Sequence, residues 1–127
     1  MSEKGVPPIR FAIAHCFTTG RNTHRDALLQ VVCKIYYINR EPLTIDWIVN
    51  PERKITRRVY TRTGISTQDA QQKPKLNEIY QEIQQYFTDL DVVFICELGG
   101  EEKEWFETVI FKGMSSPVLV DLGLAKE

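Results

Sequence analysis

A nearly continuous apolar run, IRFAIAHCF at residues 9–17, constrains the fold more than any other part of the sequence. It is followed by the small polar residues Thr18, Thr19 and Gly20. A short apolar run that ends in a polar turn is typical of a central strand covered on both faces. We therefore predict that residues 9–15 form a central strand and that a turn follows it.

The next two stretches show the alternation of β-strands. The first is ALLQVVCKIYYIN at residues 27–39, and the second is LTIDWIVNP at residues 43–51. Each places branched or aromatic residues on one face, as half-buried strands do. With REP as the turn between them, these stretches and the first strand predict a three-strand antiparallel meander. Their predicted inward-facing residues are Leu29, Val31, Cys33, Ile35, Tyr37, Leu43, Ile45, Trp47 and Val49.

The second half of the chain alternates between helical and strand patterns. Residues 51–74 have no clean period and form a long connection with room for a helical turn or two. Apolar residues then recur at helical spacing after Pro74, a second apolar run follows at 91–96, and a further helix precedes a last strand within residues 116–124. This order predicts an α/β mixed sheet in which residues 9–15 lie between strands 28–38 and 91–96.

The composition fits one globular domain spanning residues 1–127. Hydrophobic residues make up 43% and charged residues 26% of the chain, and the net charge of −1 gives no overall attraction to a polyanion. No stretch approaches the roughly 20 apolar residues of a membrane span, and the first residues lack the apolar segment of a signal peptide. We therefore expect a cytoplasmic protein.

The positive charges nevertheless cluster in one stretch, RKITRRVYTR at residues 53–62. A cluster of this kind is either a solvated surface or a local nucleic-acid-binding patch, because arginines contact phosphates and a tyrosine can stack on a base. The residues of this basic segment are Arg53, Lys54, Arg57, Arg58, Tyr60 and Arg62.

Four stretches together resemble the DnaQ-like (DEDD) 3′–5′ exonuclease family of the ribonuclease H-like fold. They are FAIAHCFTTG, WIVNPERKITRRVYTRTGIS, PKLNEIYQEIQQYFTDLDVVFI and VLVDLGLAKE. The resemblance covers most of the chain. It implies a ribonuclease H-like mixed sheet in which the antiparallel meander is followed by parallel strands joined by helices.

The sequence departs from this family where its chemistry lies. The family binds two divalent cations through four carboxylates, but the first two carboxylate positions are occupied here by His15 and Phe17, beside the matching Thr18, Thr19 and Gly20. In the second motif only Glu101 has a carboxylate at the matching spacing, and it also suits a helix N-terminus. The third motif would lie beyond residue 127, so the domain is expected to lack the family's last helices.

Other reactive side chains do not form a recognisable site. His15 and His24 have no ligand partner at a predicted spacing, and Cys16 lies in an apolar run that is typical of a buried thiol. We therefore expect no catalytic residue, no bound metal and no cofactor. Mg²⁺ or Mn²⁺ would be needed only if the chain were part of a functioning exonuclease.

Three functions remain open. The first is a non-catalytic exonuclease-like module, a pseudoenzyme that binds nucleic acid weakly or binds a partner protein. The second is the N-terminal part of a 3′–5′ exonuclease or of a larger DNA replication or repair protein. The third is a self-assembly module in which a second copy covers exposed sheet edges or apolar helix faces.

Overall fold

Five strands form one mixed sheet in the computed structural model, which describes residues 10–38, 40–95, 101–115 and 117–122. The strands are β1 (Phe11–Thr18), β2 (Leu28–Tyr37), β3 (Arg40–Ile48), β4 (Val92–Ile95) and β5 (Val118–Asp121). Their order is β3-β2-β1-β4-β5, with antiparallel pairing among the first three and parallel pairing of β1 with β4 and of β4 with β5. The predicted α/β mixed sheet with a central first strand is confirmed.

The helices follow the predicted order. They are α1 (Arg57–Thr63), α2 (Thr67–Gln71), α3 (Leu76–Phe87) and α4 (Glu101–Trp105), which continues as a π-helical turn over Phe106–Ile110. The side chains of Thr56 and Ser66 accept backbone hydrogen bonds at the starts of α1 and α2, which explains how two such short helices form in the connection. No helix in the described ranges is long and apolar enough to cross a membrane.

The strand directions bring several loops to one edge of the sheet. β1, β3, β4 and β5 all run the same way, so their last residues lie at a common edge, which we call the carboxyl edge. The turn at residues 19–27 and the connection after β3 therefore begin at this edge. Ligand sites in open sheets with parallel strands usually lie there.

The main core packs helices α3 and α4 against one face of the sheet. Ala12, Ala14 and Cys16 of β1 are buried on this face, and their small side chains allow the helices to approach closely. Aromatic rings fill the space above them, with ring centroids 5.1 Å apart for Phe87 and Phe111. Burial in this core raises the pKa of the Cys33 thiol to about 12, because the charged thiolate is poorly solvated there. Cys16 and Cys33 are thus buried as predicted, whereas Cys96 lies outside the described residues.

A smaller apolar cluster holds the long connection against the carboxyl edge. Ile55, Ile65 and Ala70 pack with Leu29 near the start of β2, and Ile48 at the end of β3 packs against them. The connection is thereby fixed beside the sheet.

One prediction about the meander is wrong. The REP segment predicted as a turn belongs to β3, which starts at Arg40; the polar residues are tolerated there because β3 is an edge strand. Leu43 shares a face with Ile45 and Trp47 as predicted, but it keeps 40% of its surface exposed near the start of this edge strand.

The prediction that β1 is covered on both faces is also wrong for the described part of the chain. Ile13 lies in the middle of the central strand, yet 38% of its surface is exposed. Phe11, His15 and Phe17, on the same face, are only half-buried. Continuous apolar sequence therefore does not mean two covered faces here.

We expect the substitution Phe87→Ala to lower the free energy of unfolding by about 3–5 kcal/mol, because it removes a fully buried ring from the aromatic cluster. Urea unfolding followed by circular dichroism measures this loss. Gln85→Ala, an exposed change on the same helix, serves as the control and should alter stability by less than about 0.5 kcal/mol. A loss below about 1 kcal/mol for Phe87→Ala would contradict the described core.

Candidate functional site

The end of β1 is tied to the start of α4 by one carboxylate. Glu102 Oε2 lies 2.8 Å from Nδ1 of His15, and Oε1 of the same carboxylate accepts a hydrogen bond of 3.3 Å from the backbone N–H of Cys16. The Glu102 side chain is 16% exposed and that of His15 is 41% exposed. Both carboxylate oxygens therefore have partners within the protein at the carboxyl edge of the central strand.

Phe17 forms the other side of this small site. Its ring meets the His15 imidazole edge-on, with 4.5 Å between the ring centroids and 89° between the planes. This ring contact restricts the orientation of the imidazole. Phe17 adds no hydrogen bond, since the phenyl ring has neither a donor nor an acceptor. The side chains at the predicted motif positions 15 and 17 are thus in direct contact.

Sequence reasoning selected Glu101 as the carboxylate of the second motif, whereas the side chain that meets His15 is Glu102. Glu101 begins α4, and its side chain lies outside the described residues. The signal for Glu102 was present in the sequence. Trp105 and Phe106 are buried against the sheet. Glu102 precedes Trp105 by three residues and Phe106 by four, so it lies on the same side of the helix and also faces the sheet.

These side chains do not fit a site for two divalent cations. Phe17 offers no ligand atom, and Nδ1 of His15 already contacts Glu102. Mg²⁺ prefers several oxygen ligands, and a lone carboxylate with an imidazole is a poor substitute. Within the described residues, no group of three or more His, Cys, Asp or Glu side chains is placed to hold a metal ion.

The matching residues Thr18, Thr19 and Gly20 build the turn after β1. Thr18 Oγ1 donates to the Gly20 carbonyl at 2.6 Å, and Thr19 exchanges two hydrogen bonds with Ala27. A Cβ atom at residue 20 would lie 2.3 Å from the Asp26 carboxylate, which explains the glycine. This part of the resemblance thus has a structural role.

The turn itself is organised by Asn22, whose side-chain oxygen accepts hydrogen bonds from the backbone N–H groups of His24 and Arg25. His24 is exposed in this turn. Arg25, which sequence analysis did not single out, is exposed beside it.

The basic segment lies next to this turn. Arg53 Nη1 donates a 2.6 Å hydrogen bond to the Arg25 carbonyl, and Arg53 Nε donates to the Pro51 carbonyl at 3.3 Å. Lys54 is exposed just before α1. An open cavity of about 480 Å³ adjoins these residues and is lined by Asn50, Glu52, Arg53, Lys54, Thr67 and Gln71.

Helix α1 carries the remaining cations of the segment. Arg57, Arg58 and Arg62 are exposed, and none of them forms an ion pair with another described residue. Tyr60 is 49% exposed between them. The predicted basic residues are thus all exposed, in a stretch that runs from the contact with the β1 turn to the end of α1.

The residues of this stretch that carry the family resemblance are structural. Pro51, Ile55 and Ile65 are buried. Gly64 ends α1 with φ at +75°, a conformation that favours glycine. The exposed cations lie between these buried positions, so the shape of the connection and its charge arise from different residues.

A comparison with protein-family models finds no match, and a search of curated protein sequences finds none. Solved structures do match. Exonuclease X in complex with 5′ overhanging duplex DNA is 14% identical with a TM-score of 0.57, and the match covers 84% of this chain and 56% of that one. A zinc-bound complex of E. coli exonuclease I with single-stranded DNA is 18% identical with a TM-score of 0.57, over 70% of this chain and 20% of that one.

A further match is exonuclease I in a complex with SSB-Ct, at 17% identity and a TM-score of 0.56, over 71% of this chain and 21% of that chain. The chain thus spans about half the length of the exonuclease X structure and about a fifth of the exonuclease I structures. At these identities the likeness concerns the fold. The chain has the mixed-sheet, ribonuclease H-like fold of these exonucleases.

Proposed function

We propose that this chain is a non-catalytic exonuclease-like module that binds single-stranded nucleic acid through its basic segment, residues 53–62. The observation that carries the proposal is the placement of three arginines on α1 without acidic partners in the described structure. The reaction chemistry of the fold is not part of the proposal, because Phe17 replaces a ligand that two-metal catalysis requires.

The charges in the first turn of α1 are not explained by the stability of that helix. Arg58 and Arg62 are four residues apart, so they lie on the same helix face and repel each other. Arg57 and Arg58 are in the first turn, which has no acidic residue although negative charge is favoured there. A polyanion would offset both costs, and this is the physical argument for phosphate binding.

The neighbouring groups suit a single strand. Tyr60 offers a half-exposed ring among the cations, and stacking on such rings is tolerant of base identity. Lys54 and the open cavity beside Arg53 extend the surface toward the turn after β1. A strand could thus run from α1 to the carboxyl edge, with its phosphates facing the cations.

The solved relatives support this choice over an unrelated ligand. Exonuclease X is described with overhanging duplex DNA and exonuclease I with single-stranded DNA. Exonuclease I is also described in a complex with SSB-Ct, so a protein partner is a second candidate ligand for this module. A role within a larger replication or repair protein, in the cytoplasm, is compatible with either.

We expect weak, sequence-independent binding that depends steeply on salt. Replacing Arg57 and Arg58 by alanine should reduce the affinity at low salt and should lower the slope of log K against log salt by about 1.4, at about 0.7 per phosphate contact on single strands. Fluorescence anisotropy of a labelled oligonucleotide at several salt concentrations measures both effects.

The matched control removes two arginines from the opposite edge of the sheet. Arg10 precedes β1 and Arg40 begins β3, so Arg10→Ala/Arg40→Ala changes the net charge equally but leaves the basic segment intact. If both double variants weaken binding equally, the effect is one of net charge and the proposed surface is wrong. Absence of binding by the native chain at low salt would contradict the nucleic-acid proposal itself.

We further expect no metal-dependent digestion of single-stranded DNA or RNA in Mg²⁺ or Mn²⁺. Phe17 cannot ligate a cation, and the Glu102 carboxylate is occupied by His15 and Cys16. Gel analysis of an end-labelled strand tests this, with Glu102→Ala protein purified in the same way to reveal a contaminating nuclease. Chelator-sensitive digestion by the native chain that Glu102→Ala abolishes would show that the site is catalytic.

A further inference from the structure

One face of the sheet carries a continuous apolar patch, which we call the open face; the connection after β3 packs on this face at its β2–β3 end, near Leu29 and Ile48. The open face lies opposite the face on which α3 and α4 pack. Strand pairing sets Phe11 between Tyr36 and Val92, and Ile13 between Lys34 and Phe94. The apolar residues of the open face are Phe11, Ile13, Val32, Tyr36, Val92, Phe94, Val118 and Val120.

The exposure of this patch is unusual for its position. Ile13 is 38% exposed on the central strand, and Val118 is 62% exposed on β5. Neighbouring parallel strands such as β1, β4 and β5 are normally covered on both faces, because exposed branched side chains lose the free energy of burial. A large contiguous apolar patch on such a surface marks an interaction site.

Base stacking is a poor use of this face. The rings of Phe11 and Tyr36 already stack on each other, with centroids 4.9 Å apart and planes 13° apart. Lys34 lies 5.6 Å from the centre of the Tyr36 ring, and it is the single lysine or arginine that these strands place on the described part of the face. Nucleic-acid platforms combine aromatic rings with several cations, so the aliphatic majority favours a protein.

The charges at the border of the patch favour a second copy of the chain. Lys34 on β2 and Asp46 on β3 project from the same face and have opposite signs, since Asp46 pairs with Val32 in register. Two copies of this face therefore have no net charge repulsion between them. An isologous pair, in which the same patch meets itself, needs such self-complementarity.

The size of the patch also fits a dimer, though a weak one. Four strands about 5 Å apart and about five residues long at about 3.3 Å each give roughly 300 Å² in projection. The rough side-chain surface raises the accessible area, so two copies would bury on the order of 1,000 Å² in total, near the lower end for specific interfaces.

Association through the sheet edges is disfavoured. The edge strand β3 begins with Arg40, Glu41 and Pro42, and charge and proline both block strand addition. The other edge, β5, has four residues. We propose that the chain forms a dimer by packing the open faces of two copies against each other, independently of whether the basic segment binds nucleic acid.

The test is sedimentation velocity of the native chain from micromolar to several hundred micromolar concentrations. We expect a concentration-dependent dimer, and we expect Ile13→Glu and Val118→Glu each to weaken self-association at least tenfold by burying a charge on the open face. Leu43→Glu is the matched control, since Leu43 is 40% exposed but pairs with Ile35 on the other face of the sheet. It should leave the association unchanged.

Circular dichroism of each variant distinguishes loss of association from loss of folding. If Ile13→Glu unfolds, the test rests on Val118→Glu, which lies at an exposed position of the edge strand. A native chain that stays monomeric at all these concentrations overturns the proposal. The proposal is also wrong if the Val118→Glu variant folds and still dimerises as the native chain does, or if Leu43→Glu weakens the dimer equally. Dissociation of the dimer by an added oligonucleotide that binds the open face would also refute the proposal.

Discussion

The alternation of side chains along β1 is the constraint on which the rest of the structure depends. Ala12, Ala14 and Cys16 point to one face, where their small size allows the helices to pack a dense aromatic core. The residues between them point to the other face, where His15 meets Glu102 of α4 at the carboxyl edge and Ile13 stays 38% exposed. One strand thereby determines the core, the site at the carboxyl edge and the open face.

The site differs from a metal-binding site in how charge is balanced. In two-metal enzymes the mutual repulsion of clustered carboxylates is offset by the bound cations. Here a single carboxylate, that of Glu102, is balanced by His15 Nδ1 and by the Cys16 backbone N–H, with Phe17 against the imidazole. These contacts join β1 to α4, and the exposed arginines nearby lie on the separate basic segment.

The sequence predicted those features that depend on local periodicity or on single motif positions. The central strand, the meander, α3 and the replacements at residues 15 and 17 belong to this class. Motif spacing selects Glu101, whereas the helical spacing to the buried residues Trp105 and Phe106 indicates that Glu102 faces the sheet. The open face could not be predicted because Ile13 is apolar whether or not another layer covers it; coverage depends on distant parts of the chain. The REP segment has the composition of a loop because an edge strand tolerates charged residues and proline.

Metal binding tests most directly whether the carboxyl edge lacks a cation site. Titration of the native chain with Mn²⁺, followed by electron paramagnetic resonance of the free ion, should show no saturable binding at micromolar to low millimolar Mn²⁺, and Glu102→Gln should behave in the same way. Restoring both carboxylates with His15→Asp/Phe17→Glu should create measurable binding, because Glu102 would then gain oxygen ligands as neighbours. Stoichiometric Mn²⁺ binding by the native chain that Glu102→Gln abolishes would contradict the central claim.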